Sequence, residues 1–122
     1  MGSTYEQRRA LGTYGEDLAV AYLRGQGMEI LLRNWRVREG EVDVVARDGA
    51  TLVVCEVKTR RGEAYGSALE AVTDNKAARL RRLLGRLLDE TGWHPGEVRI
   101  DVVAVQVPRR GAPTLTHLEG VG

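Results

Sequence analysis

The chain has 122 residues and a mass of 13.4 kDa, with 43% hydrophobic and 29% charged residues and a formal net charge of +1. This is the make-up of one globular domain spanning residues 1–122, large enough to bury roughly two thirds of its unfolded surface. Near neutrality excludes a generally polycationic nucleic-acid binder. The lone cysteine, Cys55, excludes an internal disulfide and any zinc-finger spacing. The N-terminus is polar (Ser3, Glu6, Arg8, Arg9) with no apolar run behind it, so neither a leader nor a membrane span is expected, and the cytoplasm is the simplest compartment.

Thr13-x-x-Glu16 has the form of a capping box, and Leu18, Ala19, Tyr22 and Leu23 continue it as a helical stripe that Gly25 and Gly27 end. Residues Glu29 to Val37 read as a first strand centred on Ile30, Leu31 and Leu32. Two β-type runs between Gly40 and Lys58 flank Asp48-Gly49, a dipeptide suited to a tight hairpin because both residues tolerate positive φ. A basic loop follows from Arg60 to Gly66, and Ser67-x-x-Glu70 is a second capping box. Thr73 can cap a long helix over residues 74–91, closed by Gly92 with Pro95 beyond, whose apolar stripe is Ala77, Leu80, Leu83, Leu84, Leu87 and Leu88. Residues Val98 to Val107 form a fourth strand, and the helix before it calls for a parallel right-handed crossover. Pro108, Gly111 and Pro113 mark an irregular tail from 108 to 122, with Thr114 to Leu118 as a final edge strand.

The hairpin carries the chemistry. A loop of Asp48-Gly49 sets Val45 against Leu52, Asp43 against Val54 and Glu41 against Glu56, so Glu41, Asp43, Glu56 and Lys58 share one face. Three crowded carboxylates repel one another, and Lys58 supplies only one positive charge. A hard divalent cation with oxygen ligands would supply the rest. Val45, Leu52 and Val54 want burial on that same face, while Val42, Val44, Val53, Cys55 and Val57 make the other face apolar too. The pattern resembles a cleft in a sheet covered on both sides, with the solvated face of a plain antiparallel hairpin as the structural alternative. An odd-length loop would slip the pairing and separate Asp43 from Glu56 and Lys58.

The remaining candidates have structural roles beside the functional ones. Sixteen of the eighteen cations are arginines, the side chain suited to bidentate phosphate contacts, although a coding bias towards arginine gives the same excess. Cys55 is a small buried residue rather than a reactive thiol. Asp101 suits a place near the site but is favoured as a structural partner for an arginine. Trp35 and Trp93 could stack on bases, though a chain without Phe favours them as core anchors; His94 and His117 match no ligand or triad spacing.

The order αβββαβ, with carboxylates on strands two and three, resembles the restriction-endonuclease-like α/β fold, a mixed central sheet flanked by helices. Asp43 and Glu56-Val57-Lys58 match the motif of its PD-(D/E)xK superfamily, with Val42 where the motif has its proline. Further blocks, Gly12-Thr13-Tyr14-Gly15-Glu16, Gly40-Glu41-Val42-Asp43, Glu56-Val57-Lys58-Thr59-Arg60, Glu70-Ala71-Val72 with Lys76, and Arg99-Ile100-Asp101-Val102, resemble the YraN family across residues 10–107. These are small bacterial proteins similar in fold to archaeal Holliday-junction resolvases.

The resemblance implies metal-dependent phosphodiester hydrolysis. Asp43, Glu56, the Val57 carbonyl and Glu16 would hold Mg²⁺ or Mn²⁺, and Lys58 would orient the attacking water and offset charge in the transition state. Glu56 and Lys58, two residues apart on a strand, lie about 6 to 7 Å apart along the backbone and can reach one phosphate. Glu16 serves equally as a helix cap, and Glu41 as a residue supporting the hairpin. Arg60, Arg61, Lys76 and Arg79 are candidate phosphate contacts, with an ordinary solvated helix face and loop as their structural role. The partner expected is nucleic acid, DNA rather than RNA, with a homodimer required if four-way junctions are cut symmetrically. A binding module of nuclease fold that needs a partner for activity, and a metal-stabilised interaction domain, are the alternatives.

Overall fold

A computed structural model describes residues 4–62 and 73–121. The elements run α1 (Tyr5–Gly25), β1 (Glu29–Val37), β2 (Gly40–Asp48), β3 (Thr51–Arg61), α2 (Asp74–Thr91), β4 (Glu97–Val107) and β5 (Thr114–Leu118). The five strands form one mixed sheet in the order β1-β2-β3-β4-β5, antiparallel except for β3 and β4. This is a restriction-endonuclease-like α/β core, with β5 added at the edge.

The helix that begins the core starts earlier than the sequence pattern suggests. The Thr4 hydroxyl accepts from the Gln7 N–H, and the Gln7 side chain accepts from the Thr4 N–H, a complete capping box at the head of α1. Thr13-x-x-Glu16 consequently lies mid-helix and caps nothing. α2 matches its expected bounds, with Thr73 capping it and Gly92 closing it in the left-handed conformation (φ 70°). The Ser67-x-x-Glu70 capping box, most of the basic loop before it and the Glu70-Ala71-Val72 block lie outside the described residues.

Both faces of the sheet are covered. Ala19, Val20 and Leu23 of α1 pack with Val44, Ala46, Val53, Cys55, Val103 and Val105. Leu80, Leu83, Leu84 and Leu87 of α2 pack with Val42, Val45, Leu52, Val54 and Ile100. Each buried valine or leucine contributes about 1.5–3 kcal/mol, so the two layers drive folding and fix the strand faces. Burial pushes the Cys55 thiol up, far from a reactive thiolate. Trp35 packs against the α2 layer. Trp93 is no core anchor: it follows the Gly92 turn and is 37% exposed.

The hairpin turn differs by one position from the expected one. Asp48 pairs with Thr51, so the loop is Gly49-Ala50, with Gly49 at φ 61°. A type II′ turn needs glycine only at its first central position, which this frame provides. Val45 therefore faces Val54 rather than Leu52. The loop still has two residues, so Val45, Leu52 and Val54 keep their common face.

Candidate functional site

The sheet opens where the carboxylates gather. Pairing of β2 with β3 stops at Val44↔Cys55, whereas β1–β2 pairing runs on to Val37↔Gly40 and β3–β4 pairing to Arg61↔Val107. The alternation of β2 is also interrupted there. Val42 and Val45 both belong to the α2 layer, although Val44 belongs to the α1 layer. This corrects the expectation that Val42 lies on the Val44 face. A notch results between the ends of β2 and β3, and Asp43 stands in it.

The Asp43 carboxylate replaces the missing strand partner. Its Oδ2 accepts from the Val57 N–H at 2.8 Å, so β3 keeps a hydrogen bond where β2 has turned away. Burial raises the Asp43 pKa from 3.8 to about 7; the Val57 hydrogen bond opposes this, and Glu56, Glu16 and Glu41 add to it. Glu16 reaches this group from α1. Burial raises its pKa as well, against the lowering effects of the Asn34 side chain and Arg33. Because Glu16 is no cap, its carboxylate is available here.

Asn34 is a residue that sequence reading missed. It is the one non-glycine with positive φ (53°) among the described residues, and its side chain lowers the pKa of Glu16. Asparagine tolerates this backbone region better than most residues. The left-handed residue in β1 thereby brings a strand side chain under the influence of Glu16 on α1. Arg33 beside it binds Asp17 at 2.7 Å and lies 3.9 Å from Glu16.

The remaining candidates divide between site and surface. Glu56 is ion-paired to Lys76 at 3.1 Å, which draws Lys76 into the notch rather than leaving it on an open helix face. Lys58 is half-buried and has no ion pair among the described residues. Glu41 bonds Arg36 at 2.9 Å, a supporting role. Arg60 and Arg61 are exposed at the end of β3, and Arg79 is exposed on α2. The donors Asp43, Glu56 and Glu16 are all carboxylate oxygens, and burial makes Asp43 and Glu16 harder to ionise; that donor chemistry fits a hard divalent cation.

The profile of "Uncharacterised protein family UPF0102" matches residues 15–105. The chain belongs to this family, also known as the YraN family. It is similar to a UPF0102 protein of Kineococcus radiotolerans, 60% identical over 92% of this chain and 93% of the relative. UPF0102 proteins of Streptomyces coelicolor (55% identical, covering 98% and 94%) and a Nocardioides species (53%, covering 94% and 93%) are similar along the same length. The residues of the notch lie inside the region that the UPF0102 profile matches.

A second polar cluster of this UPF0102 chain sits across β4, β5 and α1. Among the described residues, Asp101, His117 and Glu119 are the one set of three whose ligand atoms lie within 4.8 Å of one another. The carboxylates of the notch are less tightly gathered. Asp101 is fully buried, and its needs are met without a metal. Arg99 donates to it twice (2.9 and 3.0 Å), Gly120 N–H once (3.1 Å), and His117 Nε2 lies 2.8 Å away. The other His117 nitrogen, Nδ1, lies 3.2 Å from the Tyr22 hydroxyl, so the ring fastens the edge strand to α1. Asp101 thus has the arginine partner expected of it, while the role of His117 had no sequence signature.

Removing the His117 ring takes a partner from a buried carboxylate, so His117→Ala should cost about 1–3 kcal/mol in urea unfolding. The loss should be the same with chelator as with added zinc. A chelator-sensitive wild-type transition that disappears in this variant would instead make the cluster a metal site.

Proposed function

We propose that this protein is a metal-dependent nuclease of the cytoplasm that hydrolyses phosphodiester bonds in DNA, on branched or single-stranded substrates. One observation carries the reading: half-buried carboxylates from α1, β2 and β3 converge where two strands separate, and Asp43 among them is pushed up to about 7, chiefly by burial and further by its acidic neighbours. Asp43, Glu56, Glu16 and the Val57 carbonyl would hold Mg²⁺ or Mn²⁺. When bound, such an ion polarises a phosphate oxygen and lowers the pKa of the attacking water.

The chain's own groups supply the rest. Val57 N–H fixes the Asp43 carboxylate, so its donor oxygens are oriented before substrate arrives. Lys58 follows Glu56 by two residues on β3, which puts its ammonium beside the same phosphate. There it orients the water and faces the negative charge that builds as the P–O bond breaks. Arg60, Arg61 and Arg79 offer guanidinium groups to flanking phosphates. A four-way junction cut symmetrically requires two such sites, and therefore a homodimer.

The test is cleavage of labelled duplex, single-stranded, flap and four-way-junction DNA with Mn²⁺, with Mg²⁺ and with chelator. The expected result is metal-dependent cutting that falls by about 100-fold or more in Lys58→Ala. Equal cutting by both preparations would remove Lys58 from the chemistry. One observation favours a second reading, a nucleic-acid-binding module that needs a partner for activity: Glu56 already has a counter-cation in Lys76. Salt-dependent DNA binding without cutting in any metal would select it.

A further inference from the structure

The Lys76–Glu56 pair is unusual in where it sits. Lys76 belongs to the first turn of α2, and its N–H is bonded to the capping hydroxyl of Thr73 at 3.1 Å. A cation is disfavoured at that end of a helix, where the backbone dipole is positive and free N–H groups favour anions. The side chain is nonetheless 22% exposed and held against Glu56, itself 14% exposed, at 3.1 Å. Asp43, across the notch, has no ion pair among the described residues. The one ammonium that reaches these carboxylates is therefore spent on a residue needed to hold a metal.

We infer that Lys76 is a built-in counter-cation that competes with the divalent ion for Glu56 and moves to a nucleotide phosphate when the ion takes its place. This rests on the metal site proposed above. Two like charges cannot share Glu56 at close range, so an arriving ion repels the ammonium. The side chain then lies at the α2 N-terminus, where helix N–H groups and exposed Arg79, one turn further along, already favour an anion. Lys76 is in this sense a positioning residue. It holds Glu56 in place before metal binds, sets the concentration at which metal enters, and couples metal entry to phosphate binding.

The experiment measures Mn²⁺ binding by calorimetry on the full chain without DNA, comparing wild type, Lys76→Met and Lys76→Arg. Single-stranded oligonucleotide binding is measured by fluorescence anisotropy in Ca²⁺. Lys76→Met keeps the stem and removes the competing charge, so Mn²⁺ should bind about tenfold more tightly, the effect of one pKa-unit-sized interaction. DNA affinity should fall, and its dependence on log salt should lose about one unit of slope. Lys76→Arg keeps the charge and the pair, so its Mn²⁺ affinity should equal or fall below that of wild type.

A folded Lys76→Met protein with wild-type or weaker Mn²⁺ affinity would overturn the inference and leave Lys76 as a structural ion pair. Tighter Mn²⁺ binding by both variants would overturn it as well, because charge would not be the cause. Wild type that binds no Mn²⁺ would overturn the metal site itself, and the inference with it. Wild type that binds Mn²⁺ with an affinity indifferent to residue 76 would overturn the inference alone.

Discussion

Replacing Asp43 by asparagine should stabilise the metal-free protein at neutral pH while abolishing metal-dependent activity. The folded-state pKa of Asp43, about 7, lies above its ordinary value of 3.8. Between those values the folded chain keeps a proton that the unfolded chain releases, so the unfolded state binds fewer protons and stability falls as pH rises. The favourable contribution is complete below pH 3.8 and gone above about 7. At 1.36 kcal/mol per unit, the full loss is roughly 2–4 kcal/mol once partial exposure is allowed for. Glu16, raised for the same reason, acts in the same direction.

Asparagine at position 43 still offers an oxygen to the Val57 N–H but never ionises. Urea unfolding in chelator from pH 4.5 to 8 should therefore show the variant gaining on wild type as pH rises, ending about 2–4 kcal/mol ahead. Mn²⁺ should close that gap by stabilising ionised Asp43 in wild type alone. A variant no more stable than wild type at pH 7.5 would mean that Asp43 is solvated or already compensated. Such a trade, stability given up for a strained cluster of charges, is the mark of a functional site.

How much of this could be read from the chain depends on the distance over which each feature is decided. β1 and α2 fall within their expected bounds because period, caps and breakers are local: Thr73 and Gly92 sit at the ends of α2, and the apolar stripe lies between them. The parallel pairing of β3 with β4 followed from an 18-residue helix between them. The start of α1 was misread because its first ten residues are almost wholly exposed and bear no apolar stripe, so Thr13-x-x-Glu16 outweighed Thr4 and Gln7. The hairpin turn slipped by one position because Asp48-Gly49 and Gly49-Ala50 both provide the glycine a tight turn needs.

The face that Glu56 and Lys58 share was legible because Glu56-Val57-Lys58 is contiguous and the two-residue loop preserves parity. What brings Asp43 and Glu16 to it was not. The early end of β2–β3 pairing leaves no mark on nearby sequence, and an asparagine in a strand is too weak a signal by itself to announce a left-handed residue. Long-range partners are hidden for the same reason. Lys76 and Glu56 are twenty residues apart, and Tyr22 and His117 ninety-five. A lysine in the first turn of a helix, against the dipole, was the one clue that could have pointed to the first pair.

Gly15→Ala should be strongly destabilising, although alanine is the better helix former by about 1 kcal/mol. Gly15, Ala19 and Leu23 recur every fourth residue on the buried stripe of α1, and the two small ones let the helix backbone approach the sheet. A β-carbon at Gly15 would stand 1.8 Å from the Thr59 hydroxyl oxygen, 2.7 Å from its methyl and 2.8 Å from its β-carbon. No rotamer change of Thr59 relieves all three contacts, so α1 must lift from β3. Overpacking of this kind costs about 1–3 kcal/mol and occasionally more. With contacts this short the cost lies at the upper end of that range, so the variant should lose about 2 kcal/mol or more in urea unfolding after the helix-propensity gain is counted.

The damage should also reach the site, because Glu16 follows Gly15 on α1 and Lys58 precedes Thr59 on β3. Adding Thr59→Ala removes the hydroxyl and the methyl but leaves the β-carbon at 2.8 Å, so it should restore stability only in part. The expected order is wild type, then Gly15→Ala with Thr59→Ala, then Gly15→Ala alone. Wild-type stability in the single variant would show that α1 does not press on Thr59. That close contact is what brings Glu16 to Asp43, so the helix could then no longer be counted on to deliver the third carboxylate.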